Sequence, residues 1–281
     1  MSIEVITSRQ NRSVVRICKL NNKKNRDVDR LFRFDGIKLY GEAVSNKVDF
    51  DTVLLRESSE NLLRERMIQM NIPMPESVTA KVLTLSDSLF DSISEEKSPD
   101  GIISVVKYID KFHKIVKIES GNINNEEFLG SVEERIIILE DIRDPGNLGT
   151  ILRSASALSI DKVLLCGDCA DIYNTKTLRA AMGAIFKLPT VTCHDTSKMI
   201  IALRKQGRRV LAATLGDGAV SLGDFELKRS DCIAIGNEGH GLSRELIEAC
   251  DGKIIIPMKV GNESLNAAAA AVVFMWELSR I

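Results

Sequence analysis

Three polar segments of the chain follow apolar stretches and carry side chains that could take part in chemistry. The last of them, GNESLN at 261–266, lies between the apolar run IIIPM at 254–258 and a stretch that opens with five alanines. Ser264 and Asn266 place a hydroxyl and an amide at the start of a helix that is apolar all round and must itself be buried. Polar residues enclosed in this way are more typical of a ligand pocket than of an idle surface loop.

The first segment is DPGNLGTILR at 144–153. It begins with good turn residues, and Asn147 is a plausible N-cap for the helix that follows. On a helical wheel the apolar residues of this helix share one face, and Arg153 lies nearly opposite to that face. From its spacing alone, Arg153 could be a solvated surface residue or a residue that reaches a ligand.

The second segment, GNEGHGLS at 236–243, links a strand to a helix. Glu238 could accept hydrogen bonds from backbone N–H groups at the start of that helix, and Ser243 could cap it. The glycines do not have the GxGxxG spacing of a dinucleotide-binding turn, which argues against a nicotinamide-dependent oxidoreductase.

The elements that carry these segments alternate between strand and helix from residue 135 onward. Such alternation, with strongly apolar strands, predicts a parallel sheet covered by helices on both faces. In sheets of this kind ligands bind where the strands end at their carboxyl edge, and all three segments lie at such ends. The first third of the chain indicates a smaller α/β unit, followed by a charged, Asn- and Gly-rich stretch. We therefore predict domains at 1–110 and 134–281, joined by a linker at 111–133.

Composition sets few limits on function. The chain has 281 residues, a formal net charge of −1 and 44% hydrophobic residues, as an ordinary globular protein does. Basic residues are concentrated near the N-terminus, where Glu4 is the single acid among the first 26 residues. This concentration would attract the phosphates of a nucleic acid or would simply solvate a helix face. No apolar run reaches the roughly 18 residues of a membrane span, and no signal-peptide core precedes the basic stretch, so a cytoplasmic protein is predicted.

The six cysteines lie in apolar, strand-like segments, which is typical of reduced interior thiols. Cys166 and Cys169 have the CxxC spacing of a metal-binding or redox pair. No second pair or nearby histidine completes a zinc site, so no metal is predicted.

In this order and at these spacings, the three segments resemble the signature motifs of the SpoU/TrmH family, whose members are RNA ribose 2′-O-methyltransferases of the SPOUT superfamily. The resemblance covers 135–281, and its most specific part is the third motif, with Pro257, Gly261 and ESLNAA at 263–268. The segment FDGIKLYGEA is similar, more loosely, to a ribosomal-protein-like substrate-binding domain. The resemblance implies an α/β fold, with a SPOUT-type parallel sheet, a deep trefoil knot and a smaller N-terminal α/β domain that binds RNA.

The resemblance also implies a cofactor and a set of site residues. S-adenosylmethionine would be held in a bent shape, largely by backbone groups. The cofactor-binding residues would be Thr214, Leu215, Gly216, Gly236, Ile256, Met258 and Leu265. The catalytic residues would be Arg153, Asn147, Glu238, Ser264 and Asn266. The RNA-binding residues would be Arg9, Arg12, Arg16, Lys23, Lys24 and Arg153. One departure from the family pattern is a longer approach to Gly261, through Lys259 and Val260.

Transfer of a methyl group from a sulfonium to a ribose hydroxyl is an in-line displacement that requires no metal. The family's proposed base is the arginine of the first motif, here Arg153. Because a guanidinium normally stays protonated in proteins, we expect Arg153 to bind the adjacent phosphate and to polarise the hydroxyl. It would accept the proton only in an unusually desolvated site.

Substrate and assembly are less closely defined by the sequence. Ribosomal RNA is favoured over transfer RNA, because target choice must come from outside the catalytic fold and the N-terminal extension can supply it. The alternative functions are a transfer RNA 2′-O-methyltransferase and a non-catalytic RNA-binding module of the same fold. Base methylation is a further alternative, since relatives in the wider superfamily modify bases, but NLG-to-Arg in the first motif and ESLN in the third favour ribose. The apolar final helix predicts a homodimer that buries the knot region and this helix.

Overall fold

The computed structural model describes the chain in four stretches, which are residues 4–79, 81–116, 129–259 and 264–281. The helices described in them are α1 (Arg12–Lys19), α2 (Lys23–Asp29), α3 (Ile37–Ser45), α4 (Glu60–Gln69), α5 (Asp87–Ile93), α6 (Pro145–Ala157), α7 (Thr175–Ala181), α8 (Thr196–Lys205), α9 (Arg244–Ala249) and α10 (Ala267–Ser279). The strands described are β1 (Val5–Ile6), β2 (Leu31–Asp35), β3 (Phe50–Arg56), β4 (Val82–Leu85), β5 (Ile102–Lys107), β6 (His113–Val116), β7 (Ile136–Glu140), β8 (Lys162–Cys166), β9 (Thr190–Cys193), β10 (Val210–Ala213), β11 (Val220–Ser221), β12 (Cys232–Ile235) and β13 (Gly252–Ile255). Across these four stretches, no helix is long and apolar enough to span a membrane.

The chain divides into two units. The first consists of Met1–Ile109 with Tyr173–Phe186, and the second of Asp110–Ile172 with Lys187–Ile281. Two features were not visible in the sequence. The segment that carries α7 belongs to the first unit, and β6 lies inside the stretch predicted as a linker, where it pairs in parallel with β9. The predicted domain boundaries themselves stay a prediction.

The first unit is built on a five-stranded sheet in the order β1-β4-β3-β5-β2. The strand β3 pairs in parallel with β4 and antiparallel with β5, which also pairs antiparallel with β2. The helices α1 and α5 bury apolar residues in a common core with alternate residues of these strands. Phe32 of β2 stacks on Tyr173, with ring centroids 4.3 Å apart, so the second segment of this unit is fastened to the sheet by aromatic packing.

The second unit contains an eight-stranded sheet in the order β11-β13-β10-β12-β7-β8-β9-β6, in which neighbouring strands are parallel. Its central strands β7 and β8 have the sequences IIILE and KVLLC and are buried along their whole length. Aliphatic runs of this kind are typical of parallel strands that are covered on both faces. The predicted parallel-sheet fold with a smaller N-terminal α/β unit is therefore confirmed.

Helix α10 was predicted to be covered on every side, because its sequence lacks a polar face. It packs against α6, and its buried residues are Ala267, Ala268, Ala271, Phe274, Met275 and Leu278. On the other side Ala269 is exposed, and the side chain of Trp276 is 54% exposed. The described part of the chain thus covers only one side of this helix.

Candidate active site

The described residues of the three polar segments come together at the carboxyl edge of the second sheet. They follow β7, β12 and β13, which end at Glu140, Ile235 and Ile255. Next to them is a cavity of about 450 Å³. A volume of this size lies within the range of small-molecule sites, which are expected at the carboxyl edge of a parallel sheet.

Most of the predicted cofactor-binding residues lie in the wall of this cavity. Those that line it are Thr214, Leu215, Gly236, Ile256, Met258 and Leu265. Gly216 is exposed and is not part of the wall. Sequence reasoning did not identify His240 or Phe274, which also line the cavity. The wall therefore combines apolar side chains with a nearly equal share of polar surface, and such a lining suits an adenine ring together with a charged amino-acid chain.

Three of the predicted catalytic residues form a hydrogen-bonded row that joins all three segments. Asn266 is the N-cap of α10, and its Oδ1 accepts from the backbone N–H groups of Ala268 and Ala269 at 2.9 and 3.3 Å. Its Nδ2 donates to Oδ1 of Asn147 at 3.1 Å, and Nδ2 of Asn147 donates to Oε1 of Glu238. Because the helix cap uses the Asn266 oxygen, the direction of every bond in this Asn266–Asn147–Glu238 row is fixed.

The prediction that Asn147 caps α6 is wrong. The N-cap is Asp144, whose Oδ1 accepts from the backbone N–H of Asn147 at 2.8 Å. Pro145 occupies the first turn, where its missing N–H causes no loss. The Asp-Pro pair in the sequence was the signal for this cap. Because Asp144 caps the helix, the side chain of Asn147 can hydrogen-bond to Glu238 and Asn266 instead.

The position of Glu238 also differs from the prediction. It does not begin a helix but lies in a tight hairpin at 237–241, closed by hydrogen bonds in both directions between the backbones of Asn237 and Gly241 at 3.1 and 2.8 Å. Helix α9 begins later, and Ser243 caps it, as predicted, by accepting from the N–H of Leu246 at 3.2 Å. At Gly236 a Cβ would lie 2.3 Å from the backbone of Gly241, so no side chain could be accommodated there.

The hairpin at 237–241 is braced by a residue to which no catalytic or cofactor-binding role was assigned. Oδ1 of Asn237 accepts from the N–H of Gly239 at 2.8 Å, and Nδ2 of Asn237 donates to the carbonyl of Asp141 at 2.9 Å. The same side chain therefore shapes the hairpin and ties it to the end of β7. This role becomes visible only from the structure, in which β7 and β12 are adjacent strands of the sheet.

The remaining predicted catalytic residues are accessible. Arg153 is exposed on α6, and its guanidinium has no partner within the described stretches. Ser264 is exposed and lines the cavity. Lys259 is exposed, whereas Val260 and Gly261, which belong to the third motif, lie outside the described residues.

The predicted RNA-binding residues of the N-terminal segment lie in the first unit. Those with exposed side chains are Arg9, Arg12, Arg16, Lys23 and Lys24. Among them, Arg16 is within 3.3 Å of Asp51 and 3.8 Å of Asp29, so part of its charge is compensated. The exposed cations supply a basic surface around α1 and the start of α2.

The cysteines are free thiols. None of the six forms a disulfide. Burial raises the pKa of the Cys169 thiol to about 11 and the pKa values of Cys232 and Cys250 to about 12. Within the described stretches, no group of three or more His, Cys, Asp or Glu side chains could hold a metal ion.

Comparison with known proteins agrees with this architecture. The profile of the SpoU rRNA Methylase family matches residues 134–276, and that of the MRM3-like substrate binding domain matches residues 11–104. The chain belongs to the SpoU rRNA methylase family. The predicted family and the predicted enzyme class, RNA methyltransferase, are thereby confirmed.

One relative and one solved structure match nearly the whole chain, and a second relative matches 72% of it. It is 28% identical over 273 residues to the 23S rRNA (guanosine(2553)-2′-O)-methyltransferase RlmP of Bacillus subtilis, covering 97% of this chain and 98% of the relative. It is 30% identical over 207 residues to the 23S rRNA (uridine(2479)-2′-O)-methyltransferase of Streptomyces viridochromogenes, covering 72% and 68%. The crystal structure of an AdoMet-bound rRNA methyltransferase from Sinorhizobium meliloti superposes with a TM-score of 0.77 at 25% identity, covering 99% and 98%.

Proposed function

We propose that this protein transfers a methyl group from S-adenosylmethionine to a ribose 2′-hydroxyl of ribosomal RNA. The observation that carries the proposal is the Asn266–Asn147–Glu238 row beside a cavity of about 450 Å³ at the carboxyl edge of a SpoU-type sheet. The two relatives described above are named as 23S rRNA 2′-O-methyltransferases, which supports ribosomal RNA as the substrate class.

The residues of the cavity fit the proposed cofactor. Ile256 and Leu265 supply apolar surface for the adenine, and backbone groups at Thr214 and Gly236 can recognise its edge without specific side chains. Gly236 has no room for a side chain, as expected where a backbone must approach a ligand closely. When bound, the cofactor supplies a methyl group activated by a sulfonium.

In this proposal the protein's own residues place the ribose and handle its charge. Arg153, which has no partner within the described stretches, binds the phosphate next to the target ribose and polarises its 2′-hydroxyl. Glu238 is held in one orientation by Asn147, so its carboxylate is arranged before the substrate arrives. Ser264 is accessible at the cavity and can donate or accept a hydrogen bond to the ribose.

The proposal includes the arrangement of the whole molecule. The N-terminal domain selects the RNA, which is supported by the match to a substrate-binding domain over residues 11–104. The C-terminal segments form the deep trefoil knot typical of the SPOUT fold, and the enzyme acts in the cytoplasm.

Two copies associate through the exposed side of α10, where Ala269 and Trp276 are uncovered. In light scattering, the protein should have twice the monomer mass, and Trp276→Glu should reduce it to that of a monomer.

The test of the function uses tritiated S-adenosylmethionine with unmodified ribosomal and transfer RNA transcripts. We expect label in ribosomal RNA, recovered as an alkali-resistant 2′-O-methylated dinucleotide, and loss of label with Arg153→Ala. Lys205→Ala, which removes an exposed cation at the end of α8, serves as the matched control and should retain activity. Label in transfer RNA alone would overturn the substrate class. Absence of cofactor binding in calorimetry would overturn the enzyme assignment and favour an RNA-binding module.

A further inference from the structure

A buried carboxylate at the site has no part in the proposed chemistry. Glu140 is the last residue of β7 and is only 6% exposed. Its Oε2 accepts from the backbone N–H of Ser243 at 2.7 Å, and its Oε1 accepts from the Ser243 hydroxyl at 2.9 Å. Both oxygens therefore bind one residue, more than 100 positions further along the chain.

The contact also determines how Ser243 caps α9. The Ser243 hydroxyl has a single proton, which it donates to Glu140, so a lone pair is left to accept from the N–H of Leu246. Loss of Glu140 would leave the backbone N–H of Ser243 without its partner and the hydroxyl free to rotate. One carboxylate thus fixes the place where the loop after β12 ends and α9 begins.

The same strand end also holds the other side of that loop. The carbonyl of Asp141 accepts from Nδ2 of Asn237 at 2.9 Å. Consecutive residues at the exit of β7 therefore fasten the hairpin at 237–241 on both sides. The pairing of Leu139 with Ile235 in the sheet places Glu140 beside the start of this loop.

Hydrogen bonds and close backbone packing connect the hairpin to the site. Its backbone is closed by the bonds between Asn237 and Gly241, and Gly236 packs directly on Gly241. Glu238 sits within it and meets Asn147, while Gly236 and Gly241 line the cavity. A shift of the loop would therefore change the Asn147–Glu238 contact and the cavity wall together.

We propose that Glu140 is a positioning residue, whose two hydrogen bonds to Ser243 set the hairpin that presents Glu238 to Asn147 and forms one wall of the cofactor cavity. This inference rests on the proposed function. Positioning errors of about 1 Å lower the rate of an enzyme by up to roughly a hundredfold.

The test compares Glu140→Ala with Glu140→Gln. The glutamine oxygen can accept from the Ser243 N–H, and its amide can donate to the Ser243 hydroxyl, so the geometry is kept while the charge is lost. The alanine variant keeps neither bond. Ser243→Ala is the second variant should Glu140→Ala fail to fold; it keeps the backbone N–H bond to Glu140 but loses the hydroxyl bond to Glu140 and the cap on Leu246. Glu248→Gln is the control, because it changes an exposed carboxylate of α9 that pairs with Arg244 at 2.6 Å.

Calorimetric titration with S-adenosylmethionine gives the fraction of competent sites and the Kd, and kcat is expressed per competent site. For Glu140→Ala we expect a Kd raised about tenfold and a kcat lowered roughly tenfold to a hundredfold. Glu140→Gln and the control should stay within about threefold of the wild type, and Ser243→Ala should lie between the two Glu140 variants. A purely structural role would lower the fraction of competent sites and leave the Kd unchanged.

Two results would overturn the inference. In the first, folded Glu140→Ala, or Ser243→Ala in its place, has the wild-type Kd and kcat. In the second, the glutamine variant is as impaired as the alanine variant, which would mean that charge rather than position matters. Failure of the proposed function is recognised in the wild type. If the wild type binds cofactor without methylating RNA, the Kd values alone decide the role of Glu140. If the wild type does not bind cofactor, the inference falls together with the proposed function.

Discussion

The carboxyl edge of the second sheet and the N-terminal basic segment both carry polar residues predicted to act on RNA, but they use them in opposite ways. At the sheet edge, Asn266, Asn147 and Glu238 come from three different loops and bind one another. In the N-terminal segment, Arg12 and Lys23 extend from exposed helix positions into solvent.

The difference predicts two kinds of response to mutation. Groups that are already oriented need little reorganisation during the reaction, so removal of one of them should lower kcat strongly. Exposed cations lose side-chain entropy when they bind phosphate and act mainly through counterion release. Each should therefore contribute a small, additive and salt-dependent part of RNA affinity.

The largest effect is expected from Asn147→Ala, which removes the centre of the row. Glu238 and Asn266 each lose their partner, and we expect kcat to fall about a hundredfold to a thousandfold. Because Asp144 and not Asn147 caps α6, the melting temperature should hardly change. Steady-state methylation kinetics and thermal unfolding measure the two effects. A large loss of stability would show that Asn147 supports the helix after all.

Substitutions of Asn266 can separate its effect on stability from its effect on activity, because Asn266 caps α10 and also donates to Asn147. Asn266→Ala should lower the free energy of unfolding by about 1 kcal/mol. It should also lower kcat by roughly tenfold. Asn266→Asp keeps the capping oxygen but has no N–H to donate, so it should retain stability and lose activity. Denaturant unfolding and initial rates decide this, and equal activity in Asn266→Asp and the wild type would contradict the row.

The Asn266–Asn147–Glu238 row shows which features of the site the sequence predicts and which it does not. The strands were predictable because aliphatic runs such as that of β7 alternate with helical stretches. Since parallel strands end at one edge, the three polar segments could be expected to meet there. The partner of each side chain was not predictable, because it depends on which strands are neighbours. Glu140 is the clearest case, since nothing local connects it to Ser243.

Three predictions about local structure failed for reasons that lie in the neighbouring sequence. Asn147 satisfied the general preference for asparagine at an N-cap, yet the Asp-Pro pair three residues earlier is the stronger signal. Glu238 was assigned to a helix start because a helix follows it, although the glycines around it favour a tight turn. The short strand β6 was missed because its four residues show little periodicity.

A smaller effect is expected in the N-terminal segment. Arg12→Ala and Lys23→Ala should each raise the KM for RNA about twofold to threefold and leave kcat unchanged. Log affinity falls with log salt, and each substitution should make this negative slope shallower by roughly 0.7 to 0.9. Arg26→Ala is the matched control from the same segment. The side chain of Arg26 is 4% exposed and donates to the carbonyls of Leu20 and Asn21, so its loss should lower stability but not the salt slope. Equal salt slopes in all variants would exclude this surface from RNA binding.

The smallest effect at neutral pH concerns the thiols, five of which lie in the second unit and one, Cys18, in the first. Burial raises the pKa of Cys169 to about 11 and that of Cys250 to about 12, from an ordinary value of 9.0. The folded state therefore holds these protons more tightly than the unfolded state. The stability from neutral thiols is complete below about pH 9 and declines as the pH rises toward those values, by up to about 1.4 kcal/mol per pH unit for each thiol.

The single tryptophan, Trp276, belongs to the second unit, so its fluorescence reports the thermal unfolding of that unit. The midpoint temperature of unfolding should decrease as the pH is raised from 9 to 11, and Cys250→Ala should make this decrease smaller. A midpoint independent of pH over this range would mean that the thiols are as accessible in the folded protein as in the unfolded chain.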